Sequence, residues 1–323
     1  MVAIPTETVY GLAARIDSES AVGEIFSTKQ RPFFDPLIVH VHSIDQAKKL
    51  SRDWNQVAEA LARKFWPGPL TLVLPKSDLV SGLITSGLDS VGLRCPDHPL
   101  ALQLIRKVGI ALAAPSANLF GRTSPTSAEH VETEFASKVP VLDGGHSQVG
   151  IESTVVLIRG NSELSILREG QILQSQLEHE LRQAGITHSW STQVSRVESP
   201  GHLKHHYMPS VPLIYCRQIP RCEEHLRSAI ETGLKTAPNE VEGIVLRRPK
   251  SLRRFIELSL SRDPRLAARE LYQKLRELSV QNADVIYFVE PEAFRKGPET
   301  EQWQAIRDRL SKAATLQLDE ELA

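Results

Sequence analysis

The sequence predicts two α/β domains joined by an irregular connector, and three observations carry that expectation. Short apolar runs rich in β-formers alternate with amphipathic stretches over most of the chain. That pattern breaks over His188–Gly201, where Ser, Thr, Pro and Gly replace the apolar periodicity. A length of 323 residues is long for one hydrophobic core and comfortable for two. The boundaries that follow are a first domain over 1–187, a linker over 188–211 and a second domain over 212–323.

In chain order, the first domain offers strands at Leu37–Val41, Leu70–Leu74, Ile110–Ala114 and Thr154–Ile158. Helices are predicted at about Ser20–Thr28, Asn55–Phe65, Pro99–Lys107, Ala128–Ala136 and Ile172–Ala184, from apolar positions three and four apart. Periodicity assigns faces and leaves strand order open. In the second domain, Leu213–Tyr215, Gly243–Leu246 and Val285–Val289 read as strands. Glu224–Glu231, Asp263–Leu278 and Glu301–Ala314 read as helices. Asp263-Pro264 is a cap residue followed by proline at the first helical position.

Composition narrows the function classes. Hydrophobic residues at 41% and charged residues at 24% are ordinary for a globular protein. No apolar run has the length of a membrane span, and MVAIP lacks the features of a secretory signal. Cys95, Cys216 and Cys222 form neither a disulfide framework nor a metal knuckle, so a reducing, cytoplasmic setting is expected. The net charge is −1. From Ser199 onward, 20 Lys and Arg face 18 Asp and Glu; before it, 18 face 21. Neither part has the basic excess of a protein that grips duplex nucleic acid through its phosphates, so tight stand-alone RNA binding is not expected. The basic run Leu246–Arg254 reads as a solvated loop.

No GxxxxGK[ST], GxGxxG or GxSxG motif occurs. Chemistry-bearing residues instead gather in four loop clusters beside predicted strands, where open α/β sheets place their sites. These are PTETVYGL (Pro5–Leu12), KQRPFFDPLIVH (Lys29–His40), VGLRCP (Val91–Pro96) with APSANLFGRTSPT (Ala114–Thr126), and GIESTVV with LREG (Gly150–Val156 and Leu167–Gly170). Lys29, Arg31, Arg94 and Arg168 supply positive charge suited to carboxylate or phosphate. Thr8, Ser116, Asn118, Ser124 and Ser153 supply short polar groups. Taken singly, each also reads as a solvated charge or a loop cap.

Together the clusters resemble a known family. PTETVYGL, KQRPFFDPLIVHV, FWPGPLTLVL, VGLRCPDHP, PSANLFGRTSPT, DGG–VGIESTVV and LREG match the YrdC-like threonylcarbamoyl-AMP synthases in order and spacing. The connector SPGHLKHHYMP and the tail resemble the longer two-domain form. The resemblance implies a twisted open α/β sheet with a concave basic face, followed by a smaller Rossmann-like α/β domain. It implies formation of threonylcarbamoyl-AMP and pyrophosphate from L-threonine, bicarbonate or CO2, and ATP, for delivery to the tRNA threonylcarbamoyl-transfer machinery. By the same resemblance Thr8, His40, Arg94, Ala114 and Ser153 are threonine-binding positions. Arg31, Asp35, Ser90, Ser116, Ser124, Arg168 and Tyr207 are ATP-binding positions. Lys29 with Arg31, and Ser116 with Asn118, form the catalytic KxR and SxN pairs. Mg2+ is expected to arrive on the ATP phosphates rather than in a protein cage.

Two departures from the family pattern stand out. Asp35 occupies a position where relatives usually carry Asn, and a carboxylate beside a triphosphate needs Arg31 or magnesium to compensate it. The chain also starts at MVAI, where relatives usually have a preceding helix and strand start, so either a truncated chain or a misjudged starting Met is expected. The rival readings are an RNA-binding or ribosome-assembly protein and an inactive synthase-like protein. In SPGHLKHHYMPS, His202, His205 and His206 satisfy a zinc site on count alone, with no regular element or carboxylate shell to orient them. The resemblance instead makes this segment a lid whose Tyr207 meets ATP.

Overall fold

The computed structural model describes residues 1–192, 205–217, 223–236, 240–241, 244–245, 252–281, 283–297 and 299–318. Contacts divide the chain into two compact units, Met1–Leu119 with Ser124–His202, and Phe120–Thr123 with Leu203–Ala323. Residues 193–204 of the predicted connector, His202 of the zinc reading among them, lie outside the described residues, as do Cys222 and residues 246–251 of the basic run.

The first unit runs β1 (Val2–Ile4), β2 (Gly11–Arg15), α1 (Glu19–Lys29), β3 (Ile38–His40), α2 (Ile44–Leu50), α3 (Gln56–Phe65), β4 (Leu70–Pro75) and β5 (Ser90–Arg94). It continues through α4 (Pro99–Val108), β6 (Leu112–Ala113), α5 (Ala128–Phe135), β7 (Thr154–Arg159), β8 (Glu163–Arg168), α6 (Gln174–Gln183) and β9 (Ser189–Trp190). The strands form one nine-stranded mixed sheet in the order β1-β2-β6-β3-β5-β4-β7-β8-β9. Its parallel pairs are β3–β5, β4–β7 and β8–β9. Such a sheet twists because L-residue strands do.

Local sequence explains the helix ends. Ser18, Ser43, Asn55 and Ser127 cap α1, α2, α3 and α5 by accepting from backbone N–H groups of the first turn. Proline opens α4 and Gly109, at φ 73, closes it.

Period-two alternation assigns the faces of the sheet. Leu70, Leu72 and Leu74 of β4 join the main core with Val91 and Leu93 of β5, Val39 of β3 and Val156 and Ile158 of β7. Helices α1, α3 and α6 contribute Val22, Ile25, Leu61, Leu177 and Leu181 to the same core. The intervening positions are therefore displayed on the opposite face: Ile38 and His40, Ser90, Gly92 and Arg94, and Thr71. Register places His40 opposite Arg94 and Ile38 opposite Gly92.

The second unit contains β10 (Leu213–Cys216), α7 (Glu223–Thr236), β11 (Glu240–Val241), β12 (Ile244–Val245), β13 (Phe255–Glu257), α8 (Pro264–Val280), β14 (Val285–Val289), a 3-10 turn (Glu292–Phe294), α9 (Thr300–Ala313) and β15 (Leu316–Leu318). Its main sheet is parallel throughout, in the order β13-β14-β10-β15. Ile214 and Cys216 pack with Leu226 and Ile230 of α7. Tyr215, facing the other way, stacks on Phe288, which continues to Phe294 and Trp303. Asp263 caps α8 through the N–H groups of Arg265 and Leu266, with Pro264 behind it.

Candidate functional site

Backbone pairing gathers the sequence clusters of the first unit. Leu12 N–H donates to Pro115 O and Ala117 N–H to Tyr10 O, so the PTETVYGL and APSAN loops lie side by side. Gly11 permits this approach, since a Cβ there would sit 3.2 Å from Ala114 Cβ. Val149 and Gly150 donate to Glu7 O and Thr8 O and add the DGGHSQVG loop. Ala114 N–H donates to Ile38 O, and Thr154 N–H to Pro69 O.

Lys29 is the last residue of α1, and Gln30 turns the chain with φ 52 so that Arg31 follows immediately. The Lys29 ammonium is buried and donates to Ser116 O and Asn118 O. Burial, then the Arg31 charge, holds its pKa well below the ordinary lysine range. Arg31 donates from Nε to Asp35 O at 3.1 Å and from Nη2 to Pro36 O at 3.0 Å. Its Nη2 also pairs with the Asp35 carboxylate at 2.8 Å. Asp35 thus has a compensating guanidinium within its own loop. Burial still raises its pKa, with Arg31, Lys29 and Arg168 opposing the rise.

A second group surrounds the cross-strand pair His40–Arg94. Burial, and next the Arg94 charge, push the His40 imidazole down to about 3, so it is neutral near pH 7. Arg94 Nη2 lies 2.8 Å from Glu7 Oε2. Neither Glu7 oxygen accepts an aligned hydrogen bond, and Arg94 Nε and Nη2 donate none, among the described residues. On the neighbouring strands, the Ser153 and Thr71 hydroxyls are 2.8 Å apart. Arg168 donates to Ser153 O and Oγ, each at 3.1 Å. Thr8 Oγ1 lies 2.9 Å from Thr6 Oγ1. Ser124, fully buried, donates to Glu152 Oε1 at 2.6 Å. Ser90 borders a small concavity with Pro36, Ile38, Gly92 and Val155.

The geometry therefore brings together Thr8, Lys29, Arg31, Asp35, His40, Arg94, Ala114, Ser116, Asn118, Ser153 and Arg168 through direct contacts or shared loops. Tyr207 belongs to the second unit, where its buried ring is centred 5.7 Å from Tyr272 and 5.4 Å from the Arg309 guanidinium carbon. Sequence reading passed over Glu7, Thr71 and Glu152. A polar residue on the alternate face of the apolar run LTLVL was the available signal for Thr71. Among the described residues no group of three His, Cys, Asp or Glu is placed to hold a metal ion.

A family model described as "Telomere recombination" matches residues 1–170, and one described as "Threonylcarbamoyl-AMP synthase, C-terminal domain" matches residues 171–315. The threonylcarbamoyl-AMP synthase of Bacillus subtilis is 38% identical over 321 residues, covering 97% of this chain and 89% of that protein. The chain belongs to the threonylcarbamoyl-AMP synthase family. The family's synthase from Pyrococcus abyssi is 38% identical over 288 residues, covering 88% of this chain and 84% of that one. The crystal structure of P. abyssi Sua5 complexed with L-threonine matches with a TM-score of 0.77 and 34% identity, covering 99% of this chain and 92% of that one. The two-domain α/β architecture with a large open sheet expected of the family is thus present.

Proposed function

We propose that the first unit condenses L-threonine, bicarbonate or CO2, and ATP into threonylcarbamoyl-AMP and pyrophosphate. The observation that carries this reading is a pair of buried basic centres in the first unit, Arg94 at the end of β5 and Lys29 with Arg31 at the end of α1. Arg94, with donors not engaged by aligned hydrogen bonds, suits an amino-acid carboxylate. Arg31 suits a phosphate chain, and Lys29 holds the carbonyls of Ser116 and Asn118 in the neighbouring loop.

The residues act by positioning and charge stabilisation. Arg94 holds the threonine carboxylate, while Thr8, Ser153 and the backbone at Ala114 orient the amino acid beside neutral His40. The bound threonine ammonium gives up a proton to solvent, the freed nitrogen lone pair adds to CO2, and a second proton leaves, giving an N-carboxylate. That carboxylate attacks the α-phosphorus of ATP, the bond from phosphorus to the bridging oxygen breaks, and pyrophosphate departs. Arg31, Arg168, Ser90, Ser116 and Ser124 are assigned to the nucleotide, with Lys29 and Asn118 fixing the loop that faces it. Magnesium arriving with ATP would supply further charge neutralisation there. Tyr207 is assigned to the nucleotide on resemblance alone. Asp35 is tolerated at the nucleotide because Arg31 pairs with it.

The product then serves threonylcarbamoyl transfer to tRNA by a separate machinery. No described helix is long and apolar enough to cross a membrane, and a cytoplasmic location is part of this proposal.

The test is pyrophosphate release and product mass spectrometry with ATP, Mg2+, threonine and bicarbonate, each omitted in turn. Release is expected to require all of them, and Lys29→Ala with Arg31→Ala is expected to abolish it. Turnover retained in that double variant, or salt-sensitive RNA binding without ATP turnover, sinks the assignment. Absent turnover with intact ligand binding identifies an inactive synthase-like protein.

A further inference from the structure

Glu7 has no part in the roles assigned above, yet it sits against the guanidinium those roles depend on. Its side chain is 7% exposed and that of Arg94 is 5% exposed. Removing a carboxylate and a guanidinium from water costs several kcal/mol per ion, recovered only when their remaining lone pairs and protons find partners. Here that recovery is incomplete. The two ions meet at 2.8 Å, but among the described residues both Glu7 oxygens lack an aligned donor, and Arg94 Nε and Nη2 lack an aligned acceptor. A buried pair left short on both sides is complementary to a ligand that carries both an acceptor and a donor.

Charge counting sharpens the match. The Glu7–Arg94 pair is neutral, and burial keeps His40 neutral as well. A zwitterion adds no net charge to such a site, whereas a simple carboxylate adds a buried negative charge. Cationic Arg94 alone favours either ligand; Glu7 is what separates them. We propose that Glu7 is a specificity-determining residue of the amino-acid site, accepting from the substrate's ammonium and holding Arg94 for its carboxylate. The site thereby selects an α-amino acid over the corresponding acid without the amine.

This inference rests on the proposed reaction in that it takes L-threonine as the amino acid. Its test is calorimetric titration of the full chain with L-threonine and with 3-hydroxybutanoate, which is threonine without its amine. The wild-type chain is expected to bind threonine at least about tenfold more tightly than 3-hydroxybutanoate. Glu7→Gln keeps the shape and removes the charge. It is expected to weaken threonine about tenfold or more while leaving 3-hydroxybutanoate unchanged or tighter, with Glu7→Asp recovering part of the preference. Far-ultraviolet circular dichroism of each variant reports folding. If Glu7→Gln does not fold, the wild-type ratio and the Asp variant still decide. Equal weakening of both ligands, unweakened threonine binding in Glu7→Gln, or a wild-type chain without the preference overturns Glu7's part alone. A wild-type chain that binds neither ligand overturns the amino-acid site and the proposed reaction with it.

Discussion

His40 lies in the sheet directly opposite Arg94, and its buried, neutral imidazole ties the stability of the first unit to pH. The folded-state pKa is pushed from the ordinary 6.5 down to about 3. Between those values the unfolded chain binds a proton that the folded chain refuses, so stability rises with pH and is lost as pH falls from about 6.5 towards about 3. Each pKa unit is worth about 1.4 kcal/mol. At about pH 4.5 the unfolded imidazole is almost wholly protonated and the folded one almost wholly neutral, a loss on the order of 2–3 kcal/mol relative to about pH 7. His40→Asn places an uncharged side chain there and removes this dependence. Amide hydrogen exchange reads the opening free energy at Val41 and Ala114, which donate to Arg94 O and Ile38 O on either side of the site. Between about pH 7 and 4.5, the wild-type value is expected to fall by about 2–3 kcal/mol more than that of His40→Asn. Parallel pH dependences in the two chains refute the reasoning, whatever their absolute stabilities.

Other consequences are open to simpler measurements. Tyr207→Ala removes a ring buried against Tyr272 and Arg309 and is expected to destabilise the second unit by about 3–5 kcal/mol in thermal or urea unfolding, so the role in ATP binding is better tested with Tyr207→Phe. An unchanged melting profile in the Ala variant contradicts this packing. In Gly170→Ala, the new Cβ would stand 2.3 Å from Thr154 N and 2.7 Å from Ser153 C. Backbone must move, and the expected cost is about 1–3 kcal/mol together with weaker threonine binding through Ser153. Burial pushes both the Cys95 and the Cys216 thiols up to about 11. Neither is expected to react with a thiol-specific disulfide reagent at neutral pH until the chain is unfolded, and rapid labelling of either one in the native protein contradicts that.

The sequence carried the loops that make the site better than the sheet that holds them. Lys29, Arg31, Arg94 and Ser116 stood out because short motifs at the ends of strands and helices fix residue type and spacing together. The helices were legible from capping and spacing, as at Asn55 and Asp263-Pro264. Strand order was not legible, since alternation tells which face a residue takes and nothing about which strand lies beside it. Strands β1 and β9 escaped because two or three residues are too few to show a period. The apolar run Ile110–Ala114 yielded only Leu112–Ala113 as strand, its first two residues serving the turn after α4. Glu7 passed unnoticed because an acid between two threonines in a loop resembles any solvated carboxylate. Only its burial beside Arg94 gives it meaning.

The excursion at Phe120–Thr123 bears on how far the chain can be dissected. Thr123 N–H donates to Met208 O, Met208 N–H donates to Gly121 O, and the Thr123 hydroxyl donates to Tyr207 O. The second unit is therefore assembled from two stretches of chain more than eighty residues apart. A fragment ending near residue 190 keeps every motif loop of the first unit but strips this tetrapeptide of those partners. Because Asn118 and Ser124 stand just outside the tetrapeptide, the loss falls within one loop of proposed substrate contacts. A chain cut near residue 190 therefore lacks the backbone partners that Gly121 and Thr123 have in the full chain.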